Sequence, residues 1–230
     1  MKNILVLGAG GMLGGEAVEY FNSMHGYRAT GLSRDHGTDF IKTVRSYMER
    51  GIYDWCVNCA AMTDTAGAQN FPYKRMLSLK TNAVLPAEIA WMCREYNIKL
   101  LYFSTDYAFG GEAANFPISD KAKPSPIGVY GMHKVIGENE ALAQNPDATA
   151  VLRTSWLYGK RHEKSFVHRF SLALVQALAE GRTLSVPDDE FSLPTSTKAL
   201  LRMSRLTIDQ DLRGIMHATT LPHGGLLSCN

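Results

Sequence analysis

The chain has 230 residues, of which 45% are hydrophobic and 20% charged, so it can bury a full core and is neither disordered nor fibrous. Its 24 basic and 22 acidic residues are spread along the sequence, which indicates neither a nucleic-acid-binding block nor an acidic tail. The apolar run at residues 4–7 is too short for a signal peptide, and no later run is long enough to cross a bilayer. We therefore expect a cytoplasmic protein with no membrane or nucleic-acid partner.

Strands and helices alternate along the chain. A short apolar run, a glycine-rich turn and a helix come first, and the alternation continues through most of the sequence. We predict strands at residues 4–7, 27–32, 55–59, 99–104, 149–153 and 214–218, and helices at residues 16–21, 41–49, 82–96, 129–143 and 166–180. Beyond Gly181 the pattern weakens into a short strand, a proline-rich loop and one more helix. This order predicts an α/β fold, a Rossmann-like doubly wound parallel sheet.

The predicted NAD(P)-binding Rossmann-like domain covers residues 1–160. Residues 161–230 are predicted to form a small C-terminal substrate-binding part that is partial and integrated with the sheet. The sequence contains no internal repeat, low-complexity segment or long linker that would mark a separate second domain.

The four cysteines, Cys56, Cys59, Cys93 and Cys229, are few for a disulfide framework, and we expect thiols. Cys56 and Cys59 form a C-x-x-C pattern, which also occurs in redox and zinc sites. Here the pattern lies in a predicted buried strand, where residues three apart face opposite sides of the sheet. Their thiols should diverge, and we predict no metal site.

The segment after the first strand, residues 8–14, satisfies G-x-x-G-x-x-G and leads directly into a helix. A side chain at the first glycine would block the tight turn, one at the second would hold the backbone away from a pyrophosphate, and one at the third would disturb helix-on-strand packing. The helix N-terminus adds free N–H groups and the positive end of a dipole. We predict a dinucleotide site formed by Gly8, Gly10, Gly11, Met12, Leu13 and Gly14.

The end of the second predicted strand carries no acidic residue that could hold a ribose 2′-hydroxyl. Ser33 and Arg34 stand there instead, and the guanidinium of Arg34 can pair with a 2′-phosphate; a solvated surface arginine is the alternative. NADPH is therefore predicted as the cofactor, with NADH as the alternative. Asp39 and Phe40 follow and could lie on the adenine side.

A candidate catalytic set follows the strand at residues 99–104. Thr105 stands at the carboxyl end of that strand, where open α/β sheets bind ligands, and Tyr130 and Lys134 stand four residues apart on a later helix. We expect the Lys134 ammonium to lower the phenol pKa and to hold the cofactor ribose. Tyr130 would then donate a proton to a ketone oxygen that Thr105 also hydrogen-bonds. His133 is expected to point away from this face, at the surface.

A series of motifs along nearly the whole chain resembles the dTDP-4-dehydrorhamnose reductase family, part of the extended short-chain dehydrogenases. The motifs and their positions, in chain order, are the glycine turn at 8–14, NCAA at 58–61, NA at 82–83, STDYAFGG at 104–111, YGMHK at 130–134, RTSWLYG at 153–159 and DDEFSLPT at 188–195.

The resemblance implies NADPH-dependent reduction of the C4 ketone of a dTDP-linked 6-deoxy-sugar, with Thr105, Tyr130 and Lys134 as the catalytic set. It places Cys59, Ala60, Ala61 and Asn82 beside the cofactor. It also places Thr63, Asp106, Tyr107 and Trp156 against the nucleotide-sugar. From the residues alone, Asn82 could equally be a helix N-cap and Trp156 a core residue.

The sequence departs from the family pattern at several positions. Only Asp64 remains of an acidic stretch that supports metal-linked dimers in some members, so a monomer or homodimer without metal is expected. Glu190 and Ser192 stand where Gln and Gly are common. The chain also ends earlier than typical members and looks like a shortened relative or a piece of one.

Two other functional classes remain open. One is an NADP-binding regulatory protein resembling the regulatory subunit of methionine adenosyltransferase, which can retain the same residues. The other is a related epimerase or 4,6-dehydratase, although a dehydratase would need an acid–base pair where Asp106 is followed by Tyr107 and not by Glu.

Overall fold

The structure is a computed structural model that describes residues 1–34, 39–110, 118–160, 165–185 and 192–220. Positions 111, 188–191 and 229, named in the sequence motifs above, lie outside the described residues. The strands are β1 Lys2–Leu7, β2 Tyr27–Leu32, β3 Trp55–Asn58, β4 Lys99–Thr105, β5 Thr149–Thr154, β6 Leu157–Tyr158, β7 Thr195–Ser196 and β8 Gly214–His217. The helices are α1 Met12–Asn22, α2 Phe40–Met48, α3 Thr65–Asn70, α4 Pro72–Leu79, α5 Leu85–Glu95, α6 Val129–Gln144, α7 Phe166–Ala179 and α8 Thr197–Asp209.

Six strands form one parallel sheet in the order β2-β1-β3-β4-β5-β8. The chain first moves outward from β1 to β2 and then returns to place β3 on the other side of β1. Ligands bind at such a switch point, outside the carboxyl ends of the strands. The predicted Rossmann-like fold is confirmed, and the glycine turn after β1 lies at the switch point.

Helices cover both faces of the sheet because each strand alternates its side chains between two cores. Ile4 and Val6 pack with α1 and α8 on one face, whereas Leu5 and Leu7 pack with α2, α5 and α6 on the other. Since both faces are buried, the strands contain continuous apolar runs. No described helix has the length and apolar character needed to cross a membrane.

Two local predictions need refinement. Residues 182–185 are not in a strand and 186–191 lie outside the described residues, whereas β7 is a short strand beyond Gly181 that forms a separate two-stranded parallel sheet with β6. The helix predicted from residue 82 begins earlier, because α4 continues through a π-helical segment, Lys80–Val84, into α5.

The domain division at residue 160 stays a prediction. Beyond it, β8 pairs with β5 in the main sheet, and α8 packs into the core that also contains α1.

Candidate active site

The glycine turn has the backbone geometry that only glycine permits. Gly8 has a φ of +80°, and a Cβ on it would lie 2.8 Å from the backbone nitrogen of Ala60. A Cβ on Gly14 would overlap the carbonyl oxygen of Gly8, so α1 can approach β1 this closely only without a side chain there. The first glycine makes the turn and the last lets the helix pack, as the sequence predicted.

The N-terminus of α1 opens at this turn. Gly11 is its N-cap and provides no side-chain hydrogen bond, and the first turn contains no acidic residue. The first N–H groups of a helix have no partner within the helix, so those of Met12 and Leu13 face the end of the sheet with the positive end of the helix dipole. The turn therefore fits a pyrophosphate.

The end of β2 lies beside the turn. A Cβ on Gly10 would lie 3.5 Å from the Ser33 hydroxyl, and both Ser33 and Arg34 are exposed. Asp39 caps α2 by accepting the N–H of Ile41 at 3.1 Å. The sequence analysis suggested that this residue could lie on the adenine side. Phe40 is half-buried and packs onto the core beneath α2, so both residues have structural roles in the described fold.

The end of β3 forms the next wall. The Asn58 carboxamide oxygen accepts the N–H of Ala60 at 3.0 Å, which fixes the backbone that passes over Gly8. Cys56 lies in the core with Cys93, whereas Cys59 packs against the opposite core. The two thiols of the C-x-x-C pattern diverge, as predicted.

Asn82 ties the helical layer to the loop after β3. Its carboxamide oxygen accepts the N–H of Met62 at 3.0 Å, and its nitrogen donates to the Met62 carbonyl at 2.9 Å. Asn82 lies within the π-helical segment and is not a helix N-cap, and π-helical turns of this kind often occur at functional sites. Thr63, next along this loop, is exposed, and its place in the pocket stays a prediction.

Thr105 and Tyr130 meet at the carboxyl end of β4. The Thr105 hydroxyl donates to Asp106 Oδ1 at 3.2 Å and accepts the N–H of Tyr107 at 3.2 Å. Burial raises the pKa of Tyr130, the Asp106 carboxylate raises it further, and a hydrogen bond with Thr105 partly offsets both. The rings of Tyr107 and Tyr130 pack edge to face, with centroids 5.9 Å apart.

The expected action of Lys134 on the phenol is wrong. Its ammonium donates to the Phe103 carbonyl at 2.6 Å and lies 4.1 Å from the centre of the Tyr102 ring, so it faces β4. Burial lowers the pKa of Lys134 to about 7, against the opposing effect of the Glu138 carboxylate. Burial and the Asp106 carboxylate raise the pKa of Tyr130, and Lys134 is not among the groups that lower it.

The predicted surface position of His133 is also wrong. His133 is 7% exposed, and its Nδ1 lies 3.0 Å from the Ser78 hydroxyl. The α4 helix and the π-helical segment cover this face of α6, and the sequence pattern did not predict α4. The same Ser78 hydroxyl accepts from Asn82 at 3.1 Å, so the buried imidazole supports the site from outside.

Two residues that the sequence analysis did not select for the site, Ser155 and Ser192, connect to the Asp106 carboxylate. Ser192 donates to Asp106 Oδ2 at 2.8 Å and also contacts the Ser155 hydroxyl. Trp156 is half-buried, and its carbonyl oxygen accepts the N–H of Thr195 at 2.8 Å. The signal for Ser192 was available, because it stands where the resembling family commonly has glycine.

The family model for the RmlD substrate binding domain matches residues 1–223. A dTDP-4-keto-6-deoxy-D-glucose reductase of Streptomyces niveus is 33% identical over 94% of this chain and 72% of its own length. A dTDP-4-dehydrorhamnose reductase of Mycolicibacterium smegmatis is 32% identical over 94% of this chain and 64% of its own.

Solved structures give the same result. A dTDP-4-dehydrorhamnose reductase of Clostridium acetobutylicum has a TM-score of 0.81 and 28% identity over 95% of this chain and 74% of that one. The enzyme of Bacillus anthracis, solved in complex with NADP, has a TM-score of 0.79 and 28% identity over 96% of this chain and 76% of that one. A UDP-glucose 4-epimerase of Thermus thermophilus, 18% identical, shares the fold alone.

The matched proteins favour the reductase over the regulatory protein that the sequence left open, and they confirm the predicted enzyme class. The glycine turn, the β4 end and the Tyr130–Lys134 helix all lie inside the matched region. The chain therefore belongs to the family of the RmlD substrate binding domain.

Proposed function

We propose that this protein reduces the C4 ketone of a dTDP-linked 6-deoxy-sugar with NADPH, and that Tyr130 is the proton donor. The observation that carries the proposal is the meeting of Tyr130, Thr105 and Asp106 at the carboxyl end of β4, in the same sheet edge as the glycine turn. Such a reduction needs a nucleotide site and a proton donor at one place, and the glycine turn and Tyr130 at this edge would supply them.

The residues present fit a dinucleotide. The turn between Gly8 and the N-terminus of α1 would hold its pyrophosphate, because no side-chain cap occupies the first N–H groups of this helix. Exposed Arg34 would pair with a 2′-phosphate beside Ser33. When bound, NADPH supplies the hydride that reduces the ketone carbon. Ala60, Ala61 and Asn82 would form the wall behind it.

The chain's own residues would handle the proton. Because the pKa of Tyr130 is raised, its phenol stays protonated across the physiological pH range and can donate as negative charge develops on the ketone oxygen. The Thr105 hydroxyl lies beside the phenol and would hydrogen-bond the same oxygen. Lys134, fixed on Phe103, would hold the cofactor ribose more than it tunes Tyr130.

The substrate class rests on the half-buried aromatic side chains around this donor. Tyr107 packs against Tyr130, and Trp156 lies after β5 beside the residues that Asp106 contacts. Aromatic faces with a few polar groups suit a sugar ring attached to a nucleotide. The relatives above are named for dTDP-linked keto-sugars, which supports the same substrate. A monomer or homodimer and a cytoplasmic location remain parts of this proposal.

The test is NADPH oxidation, followed by its absorbance, with a dTDP-4-keto-6-deoxy-sugar. Tyr130→Phe should lower kcat by about 10²- to 10⁴-fold, the usual contribution of a general acid, and leave the NADPH Kd unchanged. Tyr73→Phe, at an exposed tyrosine of α4, is the matched control and should match wild type. Tight NADPH binding by wild type without turnover would overturn the proposed reaction and support a regulatory protein instead.

A further inference from the structure

A chain of side-chain hydrogen bonds runs from β5 to the end of β4 through the segment before β7. We call Ser155, Ser192, Asp106 and Thr105 the hydroxyl chain. Ser155 follows β5, Ser192 lies three residues before β7, and Asp106 and Thr105 end β4. It therefore joins two parts of the sequence that are 86 positions apart, at the atoms next to Tyr130.

Hydrogen counting fixes the direction of every bond in the hydroxyl chain. A hydroxyl has one hydrogen to donate, and a carboxylate only accepts. Ser192 gives its hydrogen to Asp106 Oδ2, so Ser155 must be the donor in the Ser155–Ser192 contact. Ser155 in turn accepts the N–H of Leu193 at 3.1 Å. Each hydroxyl of the hydroxyl chain therefore donates in the direction of Asp106.

Thr105 hydrogen-bonds the other oxygen of the Asp106 carboxylate. Thr105 donates to Asp106 Oδ1 at 3.2 Å, which is longer than the 2.8 Å bond from Ser192 to Oδ2. For Thr105 to hydrogen-bond a ketone oxygen beside Tyr130, its hydrogen must leave Asp106. When a carboxylate keeps one strong charge-assisted hydrogen bond, the loss of its second hydrogen bond costs less free energy.

We infer that Ser192 is a positioning residue, which holds the Asp106 carboxylate in place and paired while the Thr105 hydroxyl turns to the substrate oxygen. This rests on the proposed reduction. Ser192 acts through Asp106 and touches neither substrate nor cofactor.

The kinetic test is a double-mutant cycle in the NADPH oxidation assay. Ser192→Ala should lower kcat about tenfold, as loss of one hydrogen bond to a charged group does, with the KM for the sugar nucleotide and the NADPH Kd nearly unchanged. In an Asp106→Ala background the same substitution should have no effect, because the partner is gone. Ser192→Thr keeps the hydroxyl and should restore most of kcat.

Ser171→Ala, which removes an exposed hydroxyl of α7 that donates to the Val167 carbonyl of the same helix, is the control. Additive losses in the cycle, or a wild-type kcat for Ser192→Ala, would overturn the inference. A loss of kcat in Ser192→Ala that is accompanied by a lower unfolding temperature would also overturn it, since that indicates a structural role.

Amide hydrogen exchange tests the hydroxyl chain without turnover. Ser192→Ala should speed exchange of the Leu193 N–H, which is held by Ser155, while the Thr195 N–H on Trp156 keeps its protection. Unchanged Leu193 exchange would overturn the hydroxyl chain even if the enzyme is active. An inactive wild type with the expected exchange pattern would instead reject the proposed reaction.

Discussion

The Lys134 ammonium of α6 is bonded to the Phe103 carbonyl of β4 at 2.6 Å, in a site that is almost completely buried. Burial lowers the pKa of Lys134 to about 7, far below that of the unfolded chain, so the folded protein binds fewer protons between the two values. The contribution of this group to stability is therefore smallest below pH 7 and increases as the pH rises.

Lys134→Met should remove this pH dependence. Between pH 7 and 9 the free energy of unfolding of wild type should gain up to about 1.4 kcal/mol per pH unit relative to the variant, measured by urea unfolding at each pH. Lys121→Met, at an exposed lysine, is the control and should follow wild type. A pH-independent difference between Lys134→Met and wild type would mean that Lys134 is fully charged in the fold.

Glu138 and Arg153 form a buried ion pair between α6 and β5, with the Arg153 Nη2 2.7 Å from Glu138 Oε2. Glu138→Gln should destabilise the protein by about 3–5 kcal/mol, because it leaves the guanidinium buried without its counter-charge. Thermal or urea unfolding measures the loss. Arg182→Ala, which breaks the exposed pair with Glu180, should leave the free energy of unfolding nearly unchanged.

Gly14→Ala should greatly weaken NADPH binding. Its Cβ would overlap the Gly8 carbonyl oxygen, so α1 must move away from β1 and its N-terminus from the pyrophosphate. The NADPH Kd, measured by fluorescence titration, should rise at least about tenfold. Gly128→Ala, where the nearest atom to the added Cβ is 4.0 Å away, is the control, and an equal Kd for both variants would contradict the prediction.

Asp106→Asn should shift the pH profile of the reaction. The Asp106 carboxylate raises the pKa of Tyr130, so the neutral amide should lower that pKa. The alkaline limb of kcat/KM, where the protonated donor is lost, should move to lower pH. Asp147→Asn, at an exposed position, should leave the limb in place. An alkaline limb that moves to higher pH would show that the Asp106 charge does not raise the pKa of the Tyr130 phenol.

Arg34→Ser should reduce the preference for NADPH over NADH. Loss of one charged partner of a phosphate should weaken NADPH binding about tenfold and leave NADH binding nearly unchanged. Both Kd values can be measured by the same titration, with exposed Arg28 as the site of a control substitution, Arg28→Ser. An equal loss of affinity for both cofactors would mean that Arg34 does not bind the 2′-phosphate.

The local sequence determined the parts of the fold in which each residue depends on its neighbours along the chain. Short apolar runs that alternate with helices predicted the parallel sheet. The glycines after β1 predicted a tight turn, because they have no side chains to block it. The divergence of Cys56 and Cys59 followed from strand geometry alone.

The tertiary structure decided the charges and partners of the site. The sequence places Lys134 on the same helical face as Tyr130, but only the packing against β4 decides that burial lowers its pKa. His133 is buried because α4 covers it, and Ser192 reaches Asp106 from 86 positions away. Burial and long-range contacts depend on which elements pack together, and no local pattern encodes them.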